Sequence, residues 1–511
     1  MIYYVTEQLK VSDTFIRATI ADVYKYFSDK NDIAFDSETE GFDPHTKNLI
    51  SVQLGDYDNQ FVIDCTTTDV SKLKELLESH PIIMHNAQFD LKFLYKHDIY
   101  VEDVYDTFLA ECILTTGYND SDRELGLGKV TQKYAGVTLD KSVRGKIHRV
   151  GLTDEVIVYG AKDVKYLHTI KEKQLISIAK YRLENILELE NEVVKVFAEM
   201  SYTGINFDAD KWLEISKITE KNTKGLIKEL DSIVLSDIKL KRFVPNAFQQ
   251  NLFGEEERKL NINWSSPMQK LELLKELGLD VTAVGDRDLQ KNKNAHILVS
   301  KLIDYSKQAK LSTAFGKDFL KFINKKTGRI HSSFWQILAT GRISVSEPNL
   351  NQIPSNGEVA PLMRSSFIPT KGYKIVGGDY ASFELAIIAE FSEDPLWLTT
   401  LRNNNNLHSE LASATFDIPL ERVNDSFPPK PDLTYRKVQK TIDFGLAYGM
   451  SEFKLADTMG VPIKEAKQVI DKFFSVVPKV KEFLDYLAHL GTSRGYIRTS
   501  KPFSRVRWFP E

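Results

Sequence analysis

The stretch IAFDSETEGFD, residues 33–43, limits this chain most, because an apolar run turns acidic within the length of one strand. Side chains on a strand alternate between faces, so Asp36 and Glu38, two apart, project to the same side. Two carboxylates on one face repel each other unless a cation or solvent neutralises them. The strand therefore has to serve both a core and a polar site. Taken alone, a D-x-E is also what an ordinary exposed strand face would show.

Around it the first 180 or so residues alternate strand-like and helix-like segments, an organisation expected of an α/β domain with a mixed sheet. LISVQLGD, QFVIDC and PIIMHNA read as strands and SKLKELLES as a helix. The pattern is strongly helical and charged from Tyr181 to Leu240, and helical again through 268–325. Between them, 241–268 reads as an irregular connection containing Pro245, Gly254 and Pro267. KTGRIHSSFWQILATGRIS is strand-rich, and KIVGG ahead of Asp379 reads as a buried strand that hands over to the helix FELAIIAE. FPPKPD (427–432) interrupts the helices, and a new one is expected after Asp432 or Leu433. NNNN at 403–406 is a polar turn, and no internal repeat is present.

With 511 residues, three or four domains are expected. No apolar run approaches the ~20 residues that span a bilayer. The N-terminus lacks the basic-then-apolar order of a signal peptide. Two cysteines, Cys65 and Cys112, make no disulfide framework and point to a reducing cytoplasm. The net charge of −4 argues mildly against a nucleic-acid partner, although acidic surfaces can mask a basic cleft. Between Ser493 and Arg507 there are five basic residues, Arg494, Arg498, Lys501, Arg505 and Arg507, and no acidic ones. A solvated loop and a phosphate-facing surface remain equally open readings of that stretch.

Further acids join the first pair. HNAQFDLKFL supplies Asp90, with Asn86 four residues ahead of it, and VYGAKDVKYL supplies Tyr159 and Asp163. Tyr159 and Asp163 are four apart on a helix and share a face. Four carboxylates and a tyrosine fit a two-metal site for phosphodiester hydrolysis, its ions roughly 4 Å apart, with Tyr159 orienting the attacking water. Over about 30–170, these motifs and VYDTFLAECIL (104–114) resemble the DEDDy 3′–5′ exonucleases of the proofreading superfamily. The resemblance implies a ribonuclease H-like fold and metal binding by Asp36, Glu38, Asp90 and Asp163.

In the second half, TGRISVSEPNLNQIPS (340–355) offers Arg342, Asn349 and Gln352 as donors. Such side chains suit phosphate oxygens and the minor-groove acceptors that most base pairs share. In YRKVQKTIDFGLAYGM, Arg436, Lys440, Phe444 and Tyr448 recur every fourth residue along one helical face. The cations suit a triphosphate and the rings suit sugar and base, with Gly445 and Gly449 permitting close approach. A plain basic amphipathic helix would look the same.

TGRISVSEPNLNQIP, GGDYASFEL and RKVQKTIDFGLAYG, in that order behind the exonuclease motifs, resemble a family A DNA polymerase of Klenow type over about 30–511. MSYTGINFD (200–208) and NINWSSPMQKLELLKELGL (261–279) are similar to its palm entry and thumb. The resemblance implies a multidomain α/β and α+β chain: exonuclease domain 1–185, palm entry and thumb 186–330, palm 331–392, fingers 393–490, and the start of a returning palm at 491–511. By position, Asp379 matches a polymerase metal ligand and Glu384 the residue that excludes a ribose 2′-OH. His408, Arg436 and Lys440 match triphosphate contacts, Lys440 also as general acid toward pyrophosphate. Phe444 matches the ring that stacks on the sugar, Tyr448 the tyrosine at the insertion site, and Arg342, Asn349 and Gln352 the DNA contacts. Two Mg²⁺ per active site, dNTP substrates and primer–template DNA are implied. A processivity factor is a further candidate partner, and no membrane is implied. No 5′ nuclease domain precedes the motifs, as in many phage members, which points to a bacteriophage origin and the host cytoplasm. The family's D-Y-S-Q-I-E-L-R reads DYASFELA here, so Ala381, Ser382, Phe383 and Ala386 depart from it.

The family's second essential aspartate lies in a later His-Asp-Glu turn, and that tripeptide does not occur in this sequence. One aspartate cannot hold two Mg²⁺ ions, so the expectation is an incomplete palm with an open sheet edge and exposed apolar surface. A complementing C-terminal palm polypeptide, a truncated gene and a cloned fragment are equally compatible with this. The alternative function is a stand-alone 3′–5′ DNA exonuclease whose polymerase half only grips DNA.

Overall fold

The computed structural model describes residues 1–10, 12–140, 142–244, 249–250, 256–257, 260 and 262–510. Its first domain is built on a seven-stranded sheet formed by β1 (Ile2–Val5), β2 (Ile16–Ala18), β3 (Ile33–Thr39), β4 (Leu49–Gly55), β5 (Gln60–Asp64), β6 (Ile82–Met84) and β7 (Val104–Asp106). Their spatial order is β2-β1-β5-β4-β3-β6-β7. β4 runs antiparallel to both β3 and β5, and the remaining pairs are parallel, so the sheet is mixed as expected. The sequence reading missed β1 and β2, which are too short to carry a periodic signal. The register sets Asp36 against Gln53 and Glu38 against Ser51, in the middle of the sheet.

Helices α1 (Ala87–Tyr95), α2 (Thr107–Leu114), α3 (Asp154–Lys165) and α4 (Leu167–Tyr181) flank the sheet, with α3 packed on β3, β4 and β5. Then α5 (Glu184–Thr203) leaves the domain with Ile186, Leu187, Val194 and Ala198 still buried in its core. It feeds β8 (Ile205–Phe207), the centre of a three-stranded sheet with β9 (Arg329–Ile330) and β10 (Phe367–Ile368). Two long helices, α6 (Ala209–Ser236) and α7 (Ile297–Ala314), pack together over a separate core that includes Leu230, Trp264, Leu273 and Leu302. A further helical body contains α8 (Phe383–Ser392), α9 (Leu407–Phe416), α10 (Tyr435–Ala447), α11 (Ile463–Val476) and α12 (Pro478–Arg494). It closes around Trp397, Leu411, Ile442 and Phe473. Among the described residues, no helix is long and apolar enough to cross a membrane.

The sequence reading fails at one strand and gains detail at three other places. The strand expected ahead of Asp379 is absent: residues 373–380 are irregular and exposed, with Val376 91% exposed. A strand needs a neighbour to take its backbone hydrogen bonds, and none of the described residues provides one. FPPKPD does not merely interrupt helices. Ser426–Phe427 and Lys430–Thr434 pair as a short hairpin, and α10 begins at Tyr435, capped by Thr434. Pro245 and Gly254 lie outside the described residues, while Pro267 opens a helix, Pro267–Glu276.

The basic segment near residue 500 docks its backbone as a hairpin, while Arg494, Arg498, Lys501 and Arg507 stay exposed. β11 (Tyr496–Arg498) pairs with β12 (Val506–Trp508), and Val506 is buried in the core of the first domain. The Trp508 amide donates to the Thr116 carbonyl at 2.9 Å, and Asn185 donates to the Pro502 carbonyl. Arg505 pairs with Glu190 of α5, whose other oxygen accepts from Gln336. Arg123, buried at the same joint, donates to the carbonyls of Cys112 and Ile337. Gly117 is required here, since at φ +104° a Cβ would come within 2.8 Å of the Trp508 nitrogen and closer still to its carbonyl oxygen.

Candidate active sites

β3 and α3 assemble the first site. The Thr153 hydroxyl caps α3 and fixes its phase, which turns Tyr159 and Asp163 toward the sheet. Between them is Gly160, where a Cβ would meet the side-chain amide nitrogen of Gln53 at 2.9 Å, so a side chain there would displace that buried glutamine. The approach brings ligand atoms of Asp36, Glu38 and Asp163 within 4.8 Å of one another. Three carboxylates at that spacing fit a divalent cation with oxygen ligands. Tyr159 faces the same group. Its hydroxyl is held above its ordinary pKa by burial and by the neighbouring charges of Asp163, Glu38 and Asp36.

The fourth acid is placed differently. Asp90, on α1, is buried and accepts from the Ser37 hydroxyl at 2.5 Å. Ser37 lies between the two acids of β3 on the alternate pleat, so Asp90 sits beside the three-carboxylate group and not within it. Burial pushes its carboxyl well above the usual range, with Asp106 adding to the effect. Asp106 itself escaped the sequence reading. It is buried, accepts from the amides of Asn86, Ala87 and Phe108, and so pins the starts of α1 and α2 to the end of β7. The signal was the aspartate before a helical run in VYDTF, which is an N-cap pattern.

A second site joins three distant segments. Arg342 Nη2 lies 3.5 Å from Glu384 Oε1 on α8 and 3.3 Å from the hydroxyl of Tyr448, just past the end of α10. Burial and Glu384 hold the Tyr448 hydroxyl above its ordinary pKa. Beside it opens a cavity of about 640 Å³ lined by Lys437, Lys440, Phe444, Tyr448 and Lys454, among others. Three of the four residues read as one helical face thus line one space. Lys437 and Lys454 add cations that the every-fourth pattern could not reveal. Arg436 instead turns to Asn406, the cap of α9, at 3.2 Å.

The remaining candidates do not line this cavity. His408 is buried, with Nδ1 2.6 Å from Asp443. The Asn349 side chain accepts from the Asn351 amide and caps the Leu350–Gln352 turn, and Gln352 is exposed. Asp379 is exposed in the irregular segment, and among the described residues no three-ligand acidic group includes it.

Comparison with known proteins fits this two-site layout. Residues 244–511 match the model of DNA polymerase family A, and residues 15–175 match a 3′–5′ exonuclease model. DNA polymerase I of Borreliella burgdorferi is 27% identical across 97% of this chain and 53% of that protein. The thermostable DNA polymerase I of Thermus aquaticus is 29% identical across 63% of this chain and 36% of that protein. The chain thus spans about half the length of the Borreliella protein. Among solved structures, the POL domain of Pol1 from M. smegmatis, in complex with DNA primer-template and dNTP, has a TM-score of 0.77 at 21% identity, covering 99% of this chain and 82% of that one. At that identity the likeness speaks for the fold.

Proposed function

The chain belongs to DNA polymerase family A, and on that premise we propose a DNA-directed DNA polymerase with a 3′–5′ proofreading exonuclease, acting on primer–template DNA in the cytoplasm. The observation that carries the exonuclease half is the convergence of Asp36, Glu38 and Asp163, with Tyr159 facing them. The polymerase half is supported by the meeting of Arg342, Glu384 and Tyr448 beside a cationic cavity.

In the exonuclease site, Asp36, Glu38 and Asp163, with Asp90 adjacent, would hold Mg²⁺. Bound there, two such ions would neutralise charge at the scissile phosphate and the departing 3′ oxygen. Tyr159 holds the attacking water in line. In the polymerase site, Lys440 and Arg436 bind triphosphate oxygens of an incoming dNTP, and Lys440 gives its proton to the leaving pyrophosphate. Phe444 stacks on the sugar, Tyr448 packs at the insertion position, and Glu384 occupies the space a 2′-OH would need. Arg342, Asn349 and Gln352 contact the primer–template, and Asp379 would be one ligand of a metal held there. His408 contributes a donor to the triphosphate.

A second reading, an exonuclease whose polymerase half only grips DNA, is favoured by the exposed segment around Asp379. Ile375 and Val376 are 58% and 91% exposed there. We reconcile the two by a segment outside these 511 residues, on the same or a separate polypeptide, that lays strands on 373–380 and brings a second carboxylate to Asp379.

The test is a gel of end-labelled primer–template with Mg²⁺, with and without dNTPs. Extension with dNTPs establishes the polymerase in this chain. Shortening in both lanes establishes the exonuclease-only reading for the chain alone. Asp36→Ala should abolish shortening, and shortening that persists in this variant sinks the assignment of the acidic group.

A further inference from the structure

We propose that Asp443 is a positioning residue for nucleotide binding: it fixes the imidazole of His408 so that Nε2 is the atom offered to a phosphate. The inference rests on the reading of the α9–α10 corner as the triphosphate site. His408 is the second residue of α9, whose cap Asn406 accepts from Arg436. Its ring lies against Phe444, centroids 5.8 Å apart, so the imidazole borders the face that carries Lys440 and Phe444.

The geometry behind the ring is specific. Asp443, fully buried on the inner side of α10, places Oδ2 2.6 Å from His408 Nδ1. Its other oxygen accepts from Gln439 Nε2, also at 2.6 Å. A carboxylate has no proton to give, so Nδ1 donates to Asp443, and Nε2 donates to a phosphate oxygen when the ring carries its second proton. Among the described residues Nε2 makes no hydrogen bond. Burial raises the Asp443 carboxyl above its usual range while its contacts with His408 and Gln439 oppose this, and the one partner here able to carry a positive charge is this histidine. An apolar residue in its place would pack without burying a carboxyl and would leave the ring free to turn. Asp443 thus bears on the nucleotide through His408 and touches no substrate itself.

The experiment titrates dATP with Mg²⁺ into the full chain and reads the dissociation constant. Asp443→Leu should weaken binding about 10–100-fold, the range seen when a metal-ligating histidine loses the partner that orients it. Asp443→Asn keeps an acceptor for Nδ1 and should weaken binding less than Asp443→Leu does. The double variant Asp443→Leu with His408→Ala should bind no worse than His408→Ala alone. Lys440→Ala separates the two levels of the argument. If it weakens binding while Asp443→Leu does not, the Asp443 proposal is overturned and the triphosphate site stands. If neither weakens binding, the site itself is misread and the proposal falls with it. A second arm needs no variant that could unfold: in ¹⁵N spectra of the wild-type chain, His408 should show a protonated Nδ1 and an Nε2 that shifts on adding dATP. An Nε2 that does not move overturns the proposal.

Discussion

Removing the Arg505 guanidinium should loosen the joint between the C-terminal hairpin and the first domain. The Glu190 side chain it pairs with is 7% exposed, and Arg505 is 21% exposed. In Arg505→Ala the Glu190 carboxylate keeps only a neutral partner, the Gln336 amide. Breaking a buried pair from one side costs about 3–5 kcal/mol, and partial water access at Arg505 puts this case near the lower end, about 3 kcal/mol. That corresponds to a shift of about two orders of magnitude in the docking equilibrium. Hydrogen exchange at the Trp508 amide, which donates to Thr116, reads it directly and should speed up about 100-fold. Glu190→Gln combined with Arg505→Ala removes the stranded charge, so the double variant should be less destabilised than the sum of the singles by about 1–2 kcal/mol. Strict additivity, a coupling under about 0.5 kcal/mol, would show that the pair does not hold the hairpin and refute the reasoning.

Three further outcomes are expected. Gly117→Ala, which drives a Cβ into the Trp508 backbone from a left-handed position, should undock the same hairpin at a cost of at least about 2 kcal/mol, seen as a change in tryptophan emission and faster exchange at Trp508; unchanged emission would mean the joint yields freely. Tyr159→Phe should leave the acidic group intact and slow primer shortening about 10–100-fold, and an unaltered rate would remove the water-holding role. The Asp32 carboxyl is held at about 2 by its hydrogen bond from His168 and by Lys171, below the ordinary value of about 3.9. A depressed carboxylate stabilises the fold above its unfolded value, so stability should fall between pH about 4 and about 2. In Asp32→Asn the urea midpoint should lose that component of its slope, and an identical profile would contradict the assignment.

What the sequence made legible was local. The period of two in IAFDSETE fixed the shared face of Asp36 and Glu38, and the i, i+4 spacing fixed that of Tyr159 and Asp163, because both periods follow from backbone geometry alone. The basic and aromatic face of α10 was readable for the same reason. Partners set by tertiary packing were not. Asp443 meets His408 across 35 residues, and no periodicity links the two. Asp90 carries a sequence match to its neighbours, yet its place depends on how α1 lies against Ser37, which the motif does not encode. The strand expected before Asp379 failed for a different reason. An apolar run states a preference for extended backbone, but a strand exists only beside another, and sequence composition does not say whether the neighbour is present.

The C-terminal hairpin also sets a timetable for synthesis. Its anchor at Asn185 precedes Pro502 by 317 residues. At a translation rate of about 5–20 residues per second, the first domain waits on the order of tens of seconds with the seat for Val506 and Trp508 open to water. Until then it is a nascent chain with an uncovered apolar seam, the kind of surface that chaperones bind and that neighbouring nascent chains can capture.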